Sequence, residues 1–366
     1  METNTLSLNR ILLYASNLDK NFNFAKLFHL FKDFIMKISI FTLFFSIFIL
    51  MGCAGKGNQN AAQDSFIFDE GMVWNTQFHI TYKGAESLKD SIRIILDEVG
   101  HNLSVFDSTS LVSRVNRQDS TAVNRDFIRV YEMSKKINKL SDGLFDPTLS
   151  PLITAWGFGP GHKATPDTAK VDSLLLITGL DKTRLESDIL IKEATAIQFN
   201  FSAIAKGFGC DRIAEMFKAN NVNDFLIEIG GEIVASGNSP RNDKWNISID
   251  RPVYSDSDAI HESQVVINFS DMGLATSGNY RNFHGSGSER YGHTISPVTG
   301  RPLQTDVLSA TVLASSSMEA DALATSFMAM GSDKARKTAI DLNLPVLLIC
   351  ADSVWSSPQF DKLIMQ

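Results

Sequence analysis

The chain is poor in cysteine, and its few cysteines form no recognisable metal-binding or disulfide framework. Only three occur among 366 residues, at Cys53, Cys210 and Cys350. Cys210 falls in a helical pattern and Cys350 in an apolar, strand-like run, so both are predicted to be small core residues rather than a disulfide. No Cys/His spacing typical of a zinc site is present.

The chain also lacks an excess of positive charge, internal repeats and low-complexity blocks. Its formal net charge is -7, which gives no electrostatic reason to expect nucleic-acid binding. Hydrophobic residues make up 44% of the chain, enough for a large core. Lys206-Gly207 is not part of a Walker loop, because the required glycine spacing is missing.

One apolar run stands out near the beginning of the chain. Met36-Lys37 opens it with a positive charge, and residues 38–50 are almost wholly hydrophobic. This layout predicts a secretory signal over residues 36–52. A membrane-spanning helix is the alternative, but the run is short for a bilayer and is followed at once by small and polar residues. Because the signal is complete without residues 1–35, we expect Met36 to be the true initiator and exclude 1–35 from the fold.

The run ends on Leu50-Met-Gly-Cys53, which resembles a bacterial lipobox. The resemblance implies that a diacylglyceryl group is attached to Cys53 after cleavage before it. A plain structural cysteine is the alternative. We therefore expect a lipid-anchored protein on the periplasmic side of the bacterial envelope; the inner membrane is favoured, although Ala54 does not decide between the two membranes. Residues 53–65 are predicted to form a flexible linker, and residues 66–366 the folded unit.

Beyond the linker, short strand patterns alternate with helical ones. There are too few regular βαβ units for a doubly wound sheet, so we expect an α+β fold with mixed or antiparallel sheets and packed helices. The predicted strands cover residues 74–82, 195–201, 224–229, 245–250, 307–314 and 344–351; the predicted helices cover 87–99, 130–140, 206–220 and a segment from Ser317 to a stop at Gly331.

Asp321 and Thr325 are four residues apart on this last helix, so their oxygens share one face. Two hard oxygens suit a hard cation. The alternative is that Asp321 caps a helix N-terminus. Ser316 and Glu319 have the capping-box spacing, however, which places the start near Ser317 and leaves Asp321 inside the helix. The spacing alone leaves both interpretations open.

Several loops contain residues that suit phosphate or ring binding. Lys206 follows a predicted strand and opens a helix, where N–H groups and an ammonium can meet phosphate oxygens; a solvated lysine is the alternative. Asp146 lies just before a proline in Gly143-Leu-Phe-Asp-Pro-Thr148, and Gly230-Gly231 permits close backbone approach or an ordinary tight turn. A lone histidine is more often structural than catalytic, but His293 lies in a loop bounded by glycine and proline, which raises the odds of a functional role.

Together and in this order, these segments resemble the ApbE family, the FAD:protein FMN transferases once called thiamine biosynthesis lipoproteins. The resemblance runs from about Met72 to the end of the chain. Eight motifs carry it, at residues 71–74, 113–116, 143–148, 203–207, 229–232, 276–280, 293–302 and 321–325.

The resemblance implies an ApbE-like, T-fold-related single catalytic unit. The implied reaction is Mg²⁺-dependent: FMN passes from FAD to a Ser or Thr hydroxyl of a target protein, and AMP is released. The implied acceptors are subunits of membrane redox complexes, and His293 is the candidate base. The metal ligands map onto the Ala203 carbonyl and the Asp321 and Thr325 side chains; the FAD contacts map onto Met72, Phe106, Leu144, Phe145, Asp146, Asn200, Lys206 and Ile295.

The chain departs from the family pattern at two positions, because many relatives have Asp where Asn200 and Ser296 stand. The second departure removes a possible orienting partner of His293, which leaves the identity of the base open. Two other functions also remain open. One is hydrolysis of FAD to FMN and AMP at the same site. The other is non-catalytic binding of flavin, or of another solute, by a lipoprotein.

Overall fold

The computed structural model describes residues 65–161, 167–252, 262–278, 283–284 and 291–365. The predicted signal, Cys53 and most of the linker lie outside these residues, as do Asn279 and Tyr280 of one family motif. Within the described part, no helix is long and apolar enough to cross a membrane.

An eight-stranded sheet forms the centre of the fold. In spatial order, its strands are β1 (Ser65–Val73), β2 (Thr76–Gly84), β5 (Phe225–Ile229), β6 (Glu232–Ser236), β9 (Met272–Gly278), β12 (Val307–Ala314), β13 (Val346–Cys350) and β14 (Val354–Ser356). Every neighbouring pair in it is antiparallel, which confirms the predicted α+β class.

Three antiparallel pairs accompany the main sheet. They are β3 (Thr183–Glu186) with β4 (Ile189–Lys192), β7 (Trp245–Asp250) with β8 (Ser263–Phe269), and β10 (Phe283–His284) with β11 (Tyr291–Gly292). The helices are α1 (Lys89–Leu103), α2 (Leu111–Arg117), α3 (Arg125–Leu140), α4 (Ser150–Ala155), α5 (Thr168–Leu175), α6 (Ala205–Ala219), α7 (Ser317–Asp341) and α8 (Pro358–Asp361).

The inner strands β6, β12 and β13 are buried on both faces of the sheet, and β13 shows why such a strand is continuously apolar. Val346 and Leu348 belong to the main core, which the large helices share, whereas Leu347 and Ile349 belong to a second core against the β7–β8 hairpin. Successive side chains of a strand point to opposite faces, so a strand between two cores has no solvent side. A third, smaller core includes α4 and α5.

The predicted start of α7 is confirmed, whereas the predicted stop at Gly331 is a break within α7, which continues to Asp341. The Ser316 hydroxyl accepts the Glu319 N–H at 3.2 Å, and Gly331 has a left-handed φ of 70° that breaks the helix. The reciprocal half of the capping box is absent from the described contacts of Glu319, because its carboxylate binds the Ser315 hydroxyl and Lys136 instead.

Other boundaries differ from the sequence prediction. The predicted strand at 195–201 is wrong: this segment is irregular, with its first two residues exposed and one isolated bridge between Gln198 and Leu149. The strand predicted from residue 74 begins at Thr76, because Trp74 and Asn75 form a turn with positive φ. α3 begins five residues before the predicted start, at Arg125, because the Asn124 side chain accepts the Phe127 N–H. The strand β1 was not predicted.

Candidate active site

The N-terminus of α7 lies directly against α6. A methyl group at Gly207 would lie 2.3 Å from the Ser317 carbonyl oxygen, so only glycine permits this approach. Asp211, one turn further along α6, accepts the N–H groups of Ser317 and Met318, each at 2.9 Å. Burial raises the pKa of the Asp211 carboxyl to about 6, despite these two hydrogen bonds. A side chain of α6 therefore caps α7.

Asp321 lies one turn into α7 and is buried, with 5% of its surface exposed. Its Oδ2 accepts the Gly207 N–H at 3.2 Å. In a regular helix this N–H would bond to the carbonyl four residues earlier, that of Ala203. No backbone N–H in the described part of the chain donates to Ala203, so its carbonyl oxygen is left for another partner.

Lys206 forms an ion pair with Glu232, the first residue of β6. The Glu232 side chain is almost fully buried, and a third of the Lys206 side chain is exposed. Burial opposes the charge on Lys206, but the negative charges of Glu232 and Asp321 outweigh it and raise the pKa of the ammonium. Burial raises the pKa of Glu232 to about 8, and it also raises the pKa of Asp321. The Lys206 ammonium is thus paired with one buried carboxylate, Glu232, while the charge of a second, Asp321, also acts on it.

These residues fit a hard divalent cation. The side chain of Thr325, one turn beyond Asp321 on α7, is partly exposed. A carboxylate, a hydroxyl and a backbone carbonyl are all oxygen donors, the ligands that Mg²⁺ prefers. No group of three or more His, Cys, Asp or Glu residues that could hold a metal occurs within the described segments, so waters or substrate oxygens must complete the shell of an ion at Asp321.

Asp146 and Asn200 hold the two segments predicted to meet FAD. The Asp146 carboxylate accepts the Thr148 N–H at 2.7 Å and the Leu180 N–H at 3.1 Å, and burial raises its pKa. The Asn200 N–H donates to the Pro147 carbonyl at 2.7 Å, which ties the segments together. The Asn200 side-chain oxygen accepts the N–H two residues on, a turn that Asp would also make.

The remaining predicted FAD contacts differ in exposure. Phe145 is buried in the main core, Ile295 is buried in the third core, and Leu144 is partly buried. Met72 on β1 and Phe106 after α1 are 57% and 65% exposed. Exposed apolar side chains of this size are available to cover a flat ring.

His293 belongs to a group of aromatic rings at the third core. Its ring lies 6.2 Å from Phe158 in an edge-to-face arrangement, and Phe158 lies 6.0 Å from Tyr291. The structure brings Lys206 and the Gly207 N–H together with Asp321, and it places the His293 ring beside Phe158.

Ser296 stabilises the loop that follows His293. Its hydroxyl accepts the N–H groups of Val298 and Thr299 at 3.3 Å, and the Trp156 indole N–H donates to the Gly300 carbonyl at 2.8 Å. Ser296 thus occupies a turn-stabilising position.

Sequence reasoning gave no role to Glu232 or Asp211, although both are buried carboxylates at this site. One sequence feature could have indicated Glu232: it is an acidic residue directly before the apolar run Ile233-Val-Ala235. For Asp211 no local pattern exists, because its partners Ser317 and Met318 are more than 100 residues away.

The fold and the site define an antiparallel α+β protein with a buried carboxylate–lysine centre between two helix N-termini. The ApbE family model matches residues 74–348, so the chain belongs to the ApbE family. It is 33% identical over 317 residues to the FAD:protein FMN transferase of Vibrio cholerae, covering 83% of this chain and 91% of that protein. It is also 33% identical over 296 residues to the Haemophilus influenzae protein of the same name, covering 76% of this chain and 85% of that one.

Two solved structures of flavin transferases are also similar to this chain. The flavin transferase ApbE from Vibrio cholerae superimposes with a TM-score of 0.74 at 32% identity, covering 82% of this chain and 99% of that chain. The apo form of the Pseudomonas stutzeri flavinyl transferase ApbE gives a TM-score of 0.72 at 28% identity, covering 83% and 99%.

Proposed function

We propose that this protein transfers FMN from FAD to a Ser or Thr hydroxyl of a target protein and releases AMP. The relatives named FAD:protein FMN transferase support the activity, since each aligns over most of both chains. The observation that carries the proposal is the buried Asp321 carboxylate on the Gly207 N–H, beside the cationic Lys206.

The proposed reaction exchanges one phosphorus–oxygen bond for another. The acceptor oxygen bonds to the phosphorus on the FMN side of FAD, while the bond from that phosphorus to the bridging oxygen breaks. AMP leaves with the bridging oxygen, and the hydroxyl proton passes to a base. His293 is the proposed base, because an imidazole can take a proton near neutral pH.

Asp321, Thr325 and the Ala203 carbonyl are the proposed ligands of Mg²⁺. Bound there, the ion would supply positive charge against the pyrophosphate of FAD. Lys206 adds a second positive charge, and the N-terminus of α6 adds backbone N–H groups and the positive end of its dipole. The exposed Met72 and Phe106 side chains are proposed to cover the flavin ring.

An assay with FAD and Mg²⁺ tests the proposal in the presence and absence of an acceptor protein. We expect the acceptor to gain the mass of FMN on a Ser or Thr, and AMP to appear only when the acceptor is present. AMP released at the same rate without acceptor would show a hydrolase instead. Tight FAD binding with no AMP in either reaction would show a binding protein. Thr325→Val is expected to slow transfer, whereas Thr338→Val on the same helix serves as the matched control.

The cellular location is a further part of the proposal. The lipobox-like Leu50-Met-Gly-Cys53 supports a lipid anchor on the periplasmic side of the envelope, with subunits of membrane redox complexes as acceptors. Cys53→Ala is expected to move the protein from the membrane fraction to the soluble periplasmic fraction. Membrane retention of Cys53→Ala at the wild-type level would exclude lipidation of Cys53 as the anchor.

A further inference from the structure

Three charged side chains meet where α6, α7 and β6 come together. Lys206 is paired with Glu232, and the next residue, Gly207, donates its N–H to Asp321. The charge of Asp321 acts on Lys206, and that of Lys206 acts on Asp321. A single ammonium on a flexible stem thus has two carboxylates within electrostatic reach, and it is bound to only one of them.

Glu232 is rigidly placed for this pairing. It is the first residue of β6, which lies between β5 and β9 inside the sheet. The preceding turn fixes the chain direction, with Gly230 and Gly231 at φ of 60° and 101°. The Cys210 thiol donates to the Glu232 carbonyl at 3.3 Å, which joins β6 to α6. The flexible partner of the pair is therefore Lys206.

The carboxylate with which Lys206 pairs determines whether the Asp321 oxygens are open to a cation. An ammonium paired with Asp321 would occupy the oxygens that a divalent ion needs. A buried charge that loses its partner re-pairs where it can, because leaving it unpaired is costly. Besides Glu232, Asp321 is the carboxylate whose charge acts on Lys206, so it is the partner to which the ammonium would turn.

We propose that Glu232 is a positioning residue that holds the Lys206 ammonium away from Asp321, so that the Asp321 oxygens stay open to a divalent cation. The proposal rests on the metal site of the proposed function and adds a role for Glu232 in it. Lys206 then keeps its positive charge next to the cation site, where the phosphates of FAD would lie, without competing for the ligand.

Mn²⁺ binding to the purified protein without flavin tests this role directly. Mn²⁺ takes the same oxygen ligands as Mg²⁺, and the free aqueous ion is counted from its electron paramagnetic resonance signal. We expect Glu232→Gln to weaken Mn²⁺ binding roughly tenfold or more, because the freed ammonium competes for Asp321. The double variant Lys206→Met/Glu232→Gln is expected to bind within about threefold of wild type, because the competitor is gone.

Glu319→Gln is the matched control. Glu319 lies on α7 two residues before Asp321 and pairs with Lys136, so its substitution removes the same charge near the same helix. It is expected to leave Mn²⁺ affinity unchanged. Thermal unfolding by circular dichroism shows that each variant is folded, and the double variant supplies the result if Glu232→Gln alone is unstable.

Wild-type affinity in Glu232→Gln would overturn the proposal. So would a double variant that binds as weakly as Glu232→Gln, because the loss would then be structural and not caused by Lys206. Asp321→Ala separates this inference from the proposed function. If Asp321→Ala binds Mn²⁺ like wild type, the proposed metal site itself is wrong. If Asp321→Ala loses Mn²⁺ binding while Glu232→Gln keeps it, only the role of Glu232 is wrong.

Discussion

The substitution Asp321→Asn tests the centre of the site with the least change in shape. It removes one negative charge and one carboxylate oxygen while keeping an amide oxygen where Oδ2 accepts the Gly207 N–H. Because that hydrogen bond is kept, we expect the free energy of unfolding to change by only about 1 kcal/mol. The rate of FMN transfer is expected to fall by about 10²- to 10³-fold, the usual effect of losing one preorganised electrostatic contact to the transition state.

The assay is the rate at which a co-purified acceptor gains FMN, measured by mass spectrometry over a series of Mg²⁺ concentrations. If Asp321 is a ligand, higher Mg²⁺ restores part of the lost rate. Asp333→Asn, an exposed position on the same helix, removes the same charge and is expected to behave like wild type. Transfer at the wild-type rate in Asp321→Asn at every Mg²⁺ concentration would refute the assignment.

Three more substitutions probe the surroundings of the site. Gly207→Ala is expected to cost about 1–3 kcal/mol of stability, measured by urea unfolding, because its methyl group would lie 2.3 Å from the Ser317 carbonyl oxygen; an unchanged midpoint would contradict the close approach. Asp211 has its pKa raised from 3.8 to about 6, so the folded protein binds more protons there than the unfolded chain between about pH 4 and 6. Its contribution to stability therefore falls by up to about 3 kcal/mol as pH rises through this window, and Asp211→Asn is expected to remove that slope from unfolding free energies measured across it. His293→Gln is expected to slow FMN transfer by about 10²- to 10⁴-fold with FAD affinity retained in a fluorescence titration, and wild-type transfer would exclude His293 as the base.

Local chemistry made part of the fold predictable. The start of α7 follows from the Ser316 cap, and its break follows from the positive φ of Gly331, a conformation that glycine adopts without strain. The strands β7 and β12 match their predicted bounds, because each is a short run of strand-forming residues ended by polar ones. In these elements the structure agrees with the preferences of neighbouring residues.

Tertiary packing explains why the segment at 195–201 is not the strand that its sequence predicts. Ile197, Phe199 and Phe201 alternate as in a strand and are fully buried, yet the segment pairs with no sheet strand. The Asn116 side chain bonds both the N–H and the carbonyl of Phe199, at 2.7 and 2.8 Å. A side chain therefore satisfies backbone groups that a neighbouring strand would otherwise satisfy.

Only part of the site could be predicted from the sequence, because tertiary packing brings together residues that are distant along the chain. Asp321 and Thr325 share a helix, so their spacing revealed them. The pairing of Lys206 with Glu232 depends on a strand and a helix that meet across the fold, and no spacing rule connects them. The resemblance to the ApbE family placed Lys206 near the phosphates, but the fold shows which carboxylate holds it.

The helices α6 and α7 each stabilise the beginning of the other. Asp211 of α6 accepts the first N–H groups of α7, and Asp321 of α7 accepts the N–H of Gly207 in the first turn of α6, where Ile204 offers no side-chain cap. Two helix N-termini therefore converge on one buried region, and their positive dipole ends favour an anionic ligand between them. Because Asp321 both caps α6 and is the proposed metal ligand, a cation bound there would act directly on the helix that carries Lys206. Substitutions at Asp211 or Gly207 should thus alter metal affinity as well as stability, although neither residue is a proposed ligand.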